Sequence, residues 1–373
     1  MTQVVISGSG LFTPAEAIDN DALVASFNAW VDAENARNRA AIDAGEMAPL
    51  EHSSSEFIVK ASGIHSRYVM DAQGILDIER MRPRLQERDN EQPGVQCEMG
   101  LAAAGQALSN AGVKAEDIDL LIVACSNLER PYPAIAVELQ ARLGAGGYAF
   151  DMNVACSSAT FAIETAANAI RAGTARRALI VNPEICSAHL NFRDRDSHFI
   201  FGDACTALVL EDAQIAISDV CFEVVGTRLV TQFSNAIRNN AGFLNRVTDA
   251  DPLATDKLFV QEGRRVFKEV CPLVARLITE HLESLEIPPS EVTRLWLHQA
   301  NHHMNDLIAR RVLGHEPGEK QAPIILDRYA NTSSAGSIIA FDLHHRDLVS
   351  GDIGVVCSFG AGYSAGCVIL RRC

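Results

Sequence analysis

The chain has 373 residues, a formal net charge of −15, 48% hydrophobic residues and 21% charged residues. That balance fits a globular protein with a sizeable core, built as two domains or as one large duplicated domain. The acidic charge argues against a general nucleic-acid binder, which needs a basic face, yet a local basic patch can still hold a phosphorylated ligand.

The opening segment MTQVVISGSGLFTP reads as a buried strand entering a turn. It lacks the basic region, apolar run and small-residue cleavage site of a signal peptide. No apolar stretch is long enough for a spanning helix, so a cytoplasmic protein without membrane contact is expected. Gly8 and Gly10 resemble half of a dinucleotide fingerprint, but the third glycine is missing and Pro14 follows. Asp19–Ser55 is rich in Ala, Asn and Asp with helical periodicity, and Asp77–Pro93 is heavily charged. Both read as surface insertions, either solvated helices and loops or a cap over a substrate entrance or subunit contact. The ten cysteines include no CxxC pair, and most sit in apolar runs such as LIVACS and GVVCSFG. Reduced thiols acting as small hydrophobes are the simplest expectation.

From Cys97 onward strands and helices alternate. Cys97–Ala111 reads as a helix, Asp117–Ser126 as a buried strand, Ala134–Leu143 as a helix and YAFDMNVAC as a short strand. A small-residue helix over Ser157–Arg171 follows, then the strand Arg177–Ile185 and a glycine turn into a strand over Gly202–Asp212. The second half repeats this order. It has a strand over Cys221–Val230, helices over Val260–Leu285 and His302–Leu313, and the strand Glu291–Asn301 between them. The segment Pro323–Gly336, a helix over Ser337–Leu348 and the strands Asp352–Gly362 and Tyr363–Arg372 complete it. The alternation predicts layered α/β architecture with buried sheets. The repetition predicts an N-terminal half, residues 1–212, and a C-terminal half, residues 213–373, packed through shared helices.

One cysteine has a local context of its own. Cys156 ends the apolar MNVA run, and Ser157, Ser158, Ala159 and Thr160 open a helix. There the unpaired N–H groups and the positive helix end are expected to lower its thiol pKa. Its own N–H is placed to serve as an oxyanion donor. The segment alone also admits a buried cysteine at a tight strand-to-helix junction. The second half supplies partners: His298 follows an apolar strand, and Asn331 sits on a polar turn before a small-residue helix, the place of Cys156 in the repeat. A Cys, a His and an Asn at three such junctions form a nucleophile, base and hydrogen-bond donor set. No carboxylate or cysteine accompanies His298, His302 and His303 at ligand spacing, so no metal site is expected.

VACSSA around Cys156, HQAN at His298–Asn301, ANTSSAG around Asn331, FGDACTALVLE and the closing FGAGYSAG together resemble the 3-oxoacyl-(acyl-carrier-protein) synthase III family of the thiolase-like superfamily. The resemblance runs from Gln3 to Arg372 outside the two insertions. It implies a five-layered αβαβα fold, a homodimer, and acyl-CoA and malonyl-acyl carrier protein as substrates, with no cofactor. Cys156 would take the acyl group, His298 and Asn331 would meet the malonyl thioester, and the Ala361 N–H would be the second oxyanion donor. Tyr132 would reach the neighbouring subunit's acyl pocket, Phe201 would line the acyl pocket, and Phe57 and Asn301 would contact CoA.

Departures from the family pattern are local. Phe57 and Ala61 stand where an aromatic and an arginine usually grip adenine, His302 and His303 replace an arginine after HQAN, and Ala330 replaces a glycine. With the insertions, these features resemble the branch primed by a medium-chain acyl-CoA such as an eight-carbon acyl group. Three other readings stay open. One is a non-decarboxylative transferase using Glu129 as base, and another is a condensing enzyme of polyketide or quinolone type. The last is an inactive chain-length subunit, a class that usually lacks the nucleophile present here.

Overall fold

The computed structural model describes residues 2–251, 254–318 and 320–373; Met1 of the expected first strand lies outside them. In chain order, β1 (Val4–Phe12) and β2 (Glu16–Asp19) lead into helices α1 (Asn20–Arg37), α2 (Arg39–Asp43) and α3 (Ser55–Ser62). Then come β3 (Ser66–Val69), α4 (Ala72–Leu76), α5 (Val95–Ala111), β4 (Leu120–Ala124), α6 (Ile135–Leu143) and β5 (Tyr148–Met152). They are followed by α7 (Ser158–Arg171), β6 (Arg177–Ile185), β7 (Asp203–Asp212), β8 (Phe222–Ser234), β9 (Ile237–Arg238) and β10 (Val260–Gln261). The chain closes with α8 (Gly263–Ser284), β11 (Val292–Leu297), α9 (His302–Leu313), α10 (Leu326–Tyr329), α11 (Ala335–Leu343), β12 (Ile353–Gly360) and β13 (Gly362–Arg372).

Nine strands hydrogen-bond in the order β11-β12-β13-β8-β1-β7-β6-β4-β5, with β1 and β8 joining the two sets. Successive side chains of a strand face opposite sides, and here both sides are apolar. Leu120 and Ile122 join the central core with Ala159, Ile163 and Ala166 of α7 and Ile338 and Ile339 of α11. Leu121 and Val123 instead meet α5 and α6 on the outer face. In the second set Trp296, Val356 and Val368 point inward, while Leu295, Val355 and Ile369 meet α8 and α9. The layers therefore run α5/α6, sheet, α7/α11, sheet, α8/α9, the five-layered αβαβα thiolase-like fold.

Gly8 and Gly10 have a packing explanation in this frame. A Cβ on either would lie 2.3 Å from the Ala107 carbonyl or 2.2 Å from that of Ala103, so their absence of side chain lets α5 rest on β1. Two expected helices shift: Val260–Gln261 forms a strand before α8, and α11 spans Ala335–Leu343, not Ser337–Leu348. The first insertion is not merely a solvated surface. Leu23, Phe27 and Val31, spaced four apart on α1 and so on one face, pack with Ile58, Phe199 and Phe201 in a separate apolar cluster. Asp77–Pro93 forms neither helix nor strand.

The expectation that every thiol is reduced is corrected at Cys221 and Cys373, which are joined by a disulfide across 152 residues. Antiparallel pairing of β8 with β13 brings the two ends together, and the Cys373 N–H donates to the Cys221 carbonyl. Among the described residues no helix is long and apolar enough to cross a membrane.

Candidate active site

Cys156 lies two residues before α7, after β5, on a turn where Ala155 takes a left-handed φ of 49°. The turn is fastened to β13: the Ser157 hydroxyl donates to the Ser364 carbonyl at 3.0 Å. Gly360, ending β12, passes so close that a Cβ there would lie 2.6 Å from Cys156 Cβ and 2.8 Å from its Sγ. Beyond it, the Ala361 N–H faces the Cys156 sulfur, as does the Cys156 N–H. Two backbone N–H groups, those of Cys156 and Ala361, thus point at one sulfur.

The expected lowering of the thiol pKa is corrected. Burial pushes the Cys156 thiol up to about 11; the Ser333 hydroxyl opposes that rise, Glu184 adds to it, and the Ala361 and Cys156 N–H groups oppose it. The desolvation that disfavours a charged sulfur outweighs the donors around it, so Cys156 rests as a thiol. Among the described residues the other free cysteines are buried, and Cys156 alone is partly open.

His298 is neutral. Burial pushes its imidazole down to about 4, against a backbone contact with Ser333. Its ring stands edge-on to Phe359 at 5.1 Å, and its Nδ1 is buried, which leaves Nε2 to the cavity. Asn331 is held by its backbone, its N–H donating to the Ile200 carbonyl and its own carbonyl accepting the Gly202 N–H. The Ser333 N–H donates to Asn331 Oδ1 at 2.9 Å. With its oxygen occupied, the Asn331 amide presents N–H groups to the cavity.

Cys156, His298 and Asn331 share one cavity of about 480 Å³, within the range of small-ligand pockets. Phe201, Phe259, Val266 and Val270 form its apolar wall, while Arg264 and Lys268 stand among its lining residues. Phe201 is joined to Asn331 by a parallel β-bridge. Tyr132 is 75% exposed and does not line its own chain's cavity.

Phe57 lies on α3, and Arg195 stacks on it with the guanidinium 4.5 Å from the ring centroid. Arg195 comes from the loop after β6, and neither it nor Phe57 lines the Cys156 cavity. Asn301 lines the cavity, but its side chain is engaged: Oδ1 caps α9 at the His303 N–H, and Nδ2 donates to the Ala61 carbonyl. It ties α3, and with it Phe57, to α9. Glu129 accepts the Val95 and Gln96 N–H groups at the start of α5, outside the Cys156 cavity. Both of its carboxylate oxygens are thus already engaged at the helix start. His302 pairs with Asp306 and His303 with the Lys60 carbonyl.

Three further residues, Gln299, Ser333 and Ala330, shape the cavity's surroundings. Gln299 accepts the Ile325 and Leu326 N–H groups and donates to the Leu297 carbonyl, fixing the segment that leads to Asn331. Ser333, with φ 49°, contacts Cys156, His298 and Asn331. Ala330 has φ 53° and ψ −156°, a region that is essentially glycine's and costs about 1–3 kcal/mol for other residues. Ala330→Gly should relieve that strain, against about 0.4–1 kcal/mol of added unfolded-chain freedom and about 0.8 kcal/mol for a buried methyl. The expected result is a urea midpoint equal to or above that of the parent, where an ordinary buried Ala→Gly lowers it. A clear drop would contradict strain at this position.

Residues 150–227 match the family described as 3-oxoacyl-[acyl-carrier-protein (ACP)] synthase III, and residues 282–372 match its C-terminal part. The chain is 61% identical over 347 residues to a beta-ketodecanoyl-[acyl-carrier-protein] synthase of Pseudomonas aeruginosa, covering 93% of this chain and 99% of the relative. It is 30% identical to a beta-ketoacyl-[acyl-carrier-protein] synthase III of Brucella anthropi, over 86% of this chain and 91% of that one. Its fold matches the crystal structure of 3-oxoacyl-[acyl-carrier-protein] synthase III from Aquifex aeolicus with a TM-score of 0.77 at 23% identity, covering 99% of both chains.

Proposed function

The chain belongs to the 3-oxoacyl-[acyl-carrier-protein] synthase III family, and from that premise we propose that it condenses a medium-chain acyl group with malonyl-acyl carrier protein in fatty acid biosynthesis. The observation that carries this reading is the convergence of Cys156, His298 and Asn331 on one apolar cavity.

The steps follow from the groups present. Cys156 attacks the acyl-CoA thioester, the Cys156 and Ala361 N–H groups receive the developing oxyanion, and the CoA thiol leaves with the thiol proton. Because the resting thiol is protonated, acylation requires that proton to move as the carbon–sulfur bond forms. Malonyl-acyl carrier protein then loses carbon dioxide, and the resulting enolate oxygen is met by His298 Nε2–H and the Asn331 amide. The enolate carbon attacks the acyl-Cys156 carbonyl, the carbon–sulfur bond breaks to release the 3-oxoacyl product, and the expelled cysteine thiolate takes a proton from water to return to the resting thiol. Neutral His298 suits this role, since it donates a hydrogen bond without burying a charge.

The apolar wall from Phe201 to Val270 suits an alkyl chain. The name of the Pseudomonas relative describes a ten-carbon product; removing the two malonyl carbons leaves a primer of about eight, which a cavity of this class accommodates. Arg264 and Lys268 offer positive charge to the phosphates of CoA and phosphopantetheine, and Phe57 with Arg195 offers a stacking surface for adenine. A homodimer is part of the same reading. β5 is an edge strand with unpaired backbone groups, edges of this kind are ordinarily covered, and exposed Tyr132 would then enter the partner's pocket.

Intact-mass analysis of the protein with a panel of acyl-CoAs tests the primer, with Cys156→Ala as control. Octanoyl-CoA should give the fullest acyl-Cys156, and addition of malonyl-acyl carrier protein should then discharge it with release of carbon dioxide. A clear preference for acetyl-CoA would sink the medium-chain assignment, and discharge without carbon dioxide would sink the decarboxylative one.

A further inference from the structure

Glu184 is a fully buried carboxylate on β6 with no cation bonded to it among the described residues, outside the three residues proposed to carry the chemistry. Five donors reach it: the neighbouring Cys186 thiol, 3.8 Å from Oε2, and four more that converge from two directions. The Ser126 N–H reaches Oε1 at 3.0 Å and the Ser126 hydroxyl reaches Oε2 at 2.6 Å, both from the end of β4. The Ser334 N–H reaches Oε1 at 3.1 Å, and the Ser334 hydroxyl donates to the same oxygen. Ser334 closes the turn that carries Asn331, 150 residues away in sequence. That turn holds two non-glycine residues in left-handed conformations, Ala330 and Ser333. Strained backbone persists only where its surroundings over-determine it, and Glu184 is the anchor that grips the turn's far end.

We propose that Glu184 is a positioning residue: it clamps the Asn331 turn to the β4–β6 frame that also leads to Cys156, and so sets the enolate-stabilising amide over the nucleophile. This rests on the decarboxylative reading of the site. The titratable groups near Glu184 are the Cys125, Cys156, Cys186 and Cys205 thiols, all of which its charge pushes upward. Burial pushes the Glu184 carboxyl up as well, against the two hydroxyls and two N–H groups that favour the ion. Holding a carboxylate here opposes ionisation of the nucleophile, a cost that a purely space-filling residue would not impose.

The test uses the full-length enzyme with two readouts, carbon dioxide release from malonyl-acyl carrier protein and the pH profile of Cys156 alkylation by iodoacetamide, followed on the Cys156 peptide. Wild type must release carbon dioxide; if it does not, the decarboxylative reading fails before the clamp is reached. Glu184→Ala should slow release by about tenfold to a hundredfold, the scale of a misplaced reacting group, while acylation of Cys156 changes far less. Glu184→Gln keeps an acceptor oxygen for the Ser126 and Ser334 donors, so it should recover most of the release. Having lost the charge, it should also move the alkylation profile to lower pH. If Glu184→Ala does not fold, Ser334→Ala removes a hydroxyl of the clamp and should slow release with the profile unmoved. Release at the wild-type rate in Glu184→Ala or, in its place, in Ser334→Ala overturns the proposal, as does a Glu184→Gln profile that stays put.

Discussion

Replacing His298 with alanine should leave Cys156 able to take its acyl group while condensation falls by roughly 10²–10³-fold, the effect of losing one preorganised oxyanion donor. The asymmetry follows from which atoms each step uses. Acylation places its oxyanion against the Cys156 and Ala361 backbone N–H groups, which the substitution does not touch. Decarboxylation places charge on the malonyl thioester oxygen, and the donors left for it are His298 Nε2 and the Asn331 amide. His298 is buried, and burial holds its pKa at about 4, so the wild-type imidazole is neutral through the physiological range. Alanine therefore removes a hydrogen bond and no charge, and the loss should be nearly the same at pH 6 and pH 8. Mass analysis of acyl-Cys156 alongside carbon dioxide release separates the two steps. Equal losses in both would mean that His298 serves acylation, and wild-type condensation would remove it from the mechanism.

Cys156, His298 and Asn331 were legible in the sequence because each stands at a junction whose signal is local: an apolar strand, a short polar turn, a helix of small residues. The layers were legible for a related reason, since strands buried on both faces read as continuous apolar runs between amphipathic helices. What stayed hidden depends on distance or on backbone angle. Glu184 looks like one polar residue inside an apolar strand until Ser126 and Ser334 are brought to it. Ser333 is one serine of a polar turn until its left-handed φ turns it toward the other three residues. Arg195 sits in a charged loop, and only folding sets it on Phe57.

The thiol of Cys156 shows the same limit in energetic form. A helix start is visible in the sequence and argues for a lowered pKa, but the desolvation that reverses the sign comes from the packed surroundings, the closely passing Gly360 among them. The disulfide is hidden likewise: Cys221 and Cys373 meet through the antiparallel register of β8 and β13. In α1 the face was present as Leu23, Phe27 and Val31, but the surrounding Ala, Asn and Asp masked it. That helix belongs to the apolar cluster that includes Phe201, so the first insertion helps to shape one wall of the cavity at Cys156.

Gly360→Ala should abolish acylation of Cys156 with the sheet intact. The added Cβ would fall 2.6 Å from Cys156 Cβ and 2.8 Å from Sγ, well inside carbon–carbon and carbon–sulfur contact. Glycine's conformational freedom is not the issue here: Gly360 continues the extended backbone of β12 and pairs with Ser364 of β13. One of two things must move. If Cys156 yields, its sulfur leaves the Ala361 and Cys156 N–H groups; if β12 yields, the Ala361 N–H leaves the sulfur. Either way the nucleophile and its oxyanion donors separate, and a displacement near 1 Å costs about 10²-fold. Overpacking of a tight site costs about 1–3 kcal/mol of stability, too little to unfold a domain of ordinary stability of about 5–15 kcal/mol. Circular dichroism should therefore stay near that of wild type while acyl-Cys156 disappears from the mass spectrum. Ala361→Gly is the matched control, since it keeps the N–H and adds no atom near the sulfur. Acylation of Gly360→Ala at the wild-type rate would show that the close approach at Cys156 is not what the reaction depends on.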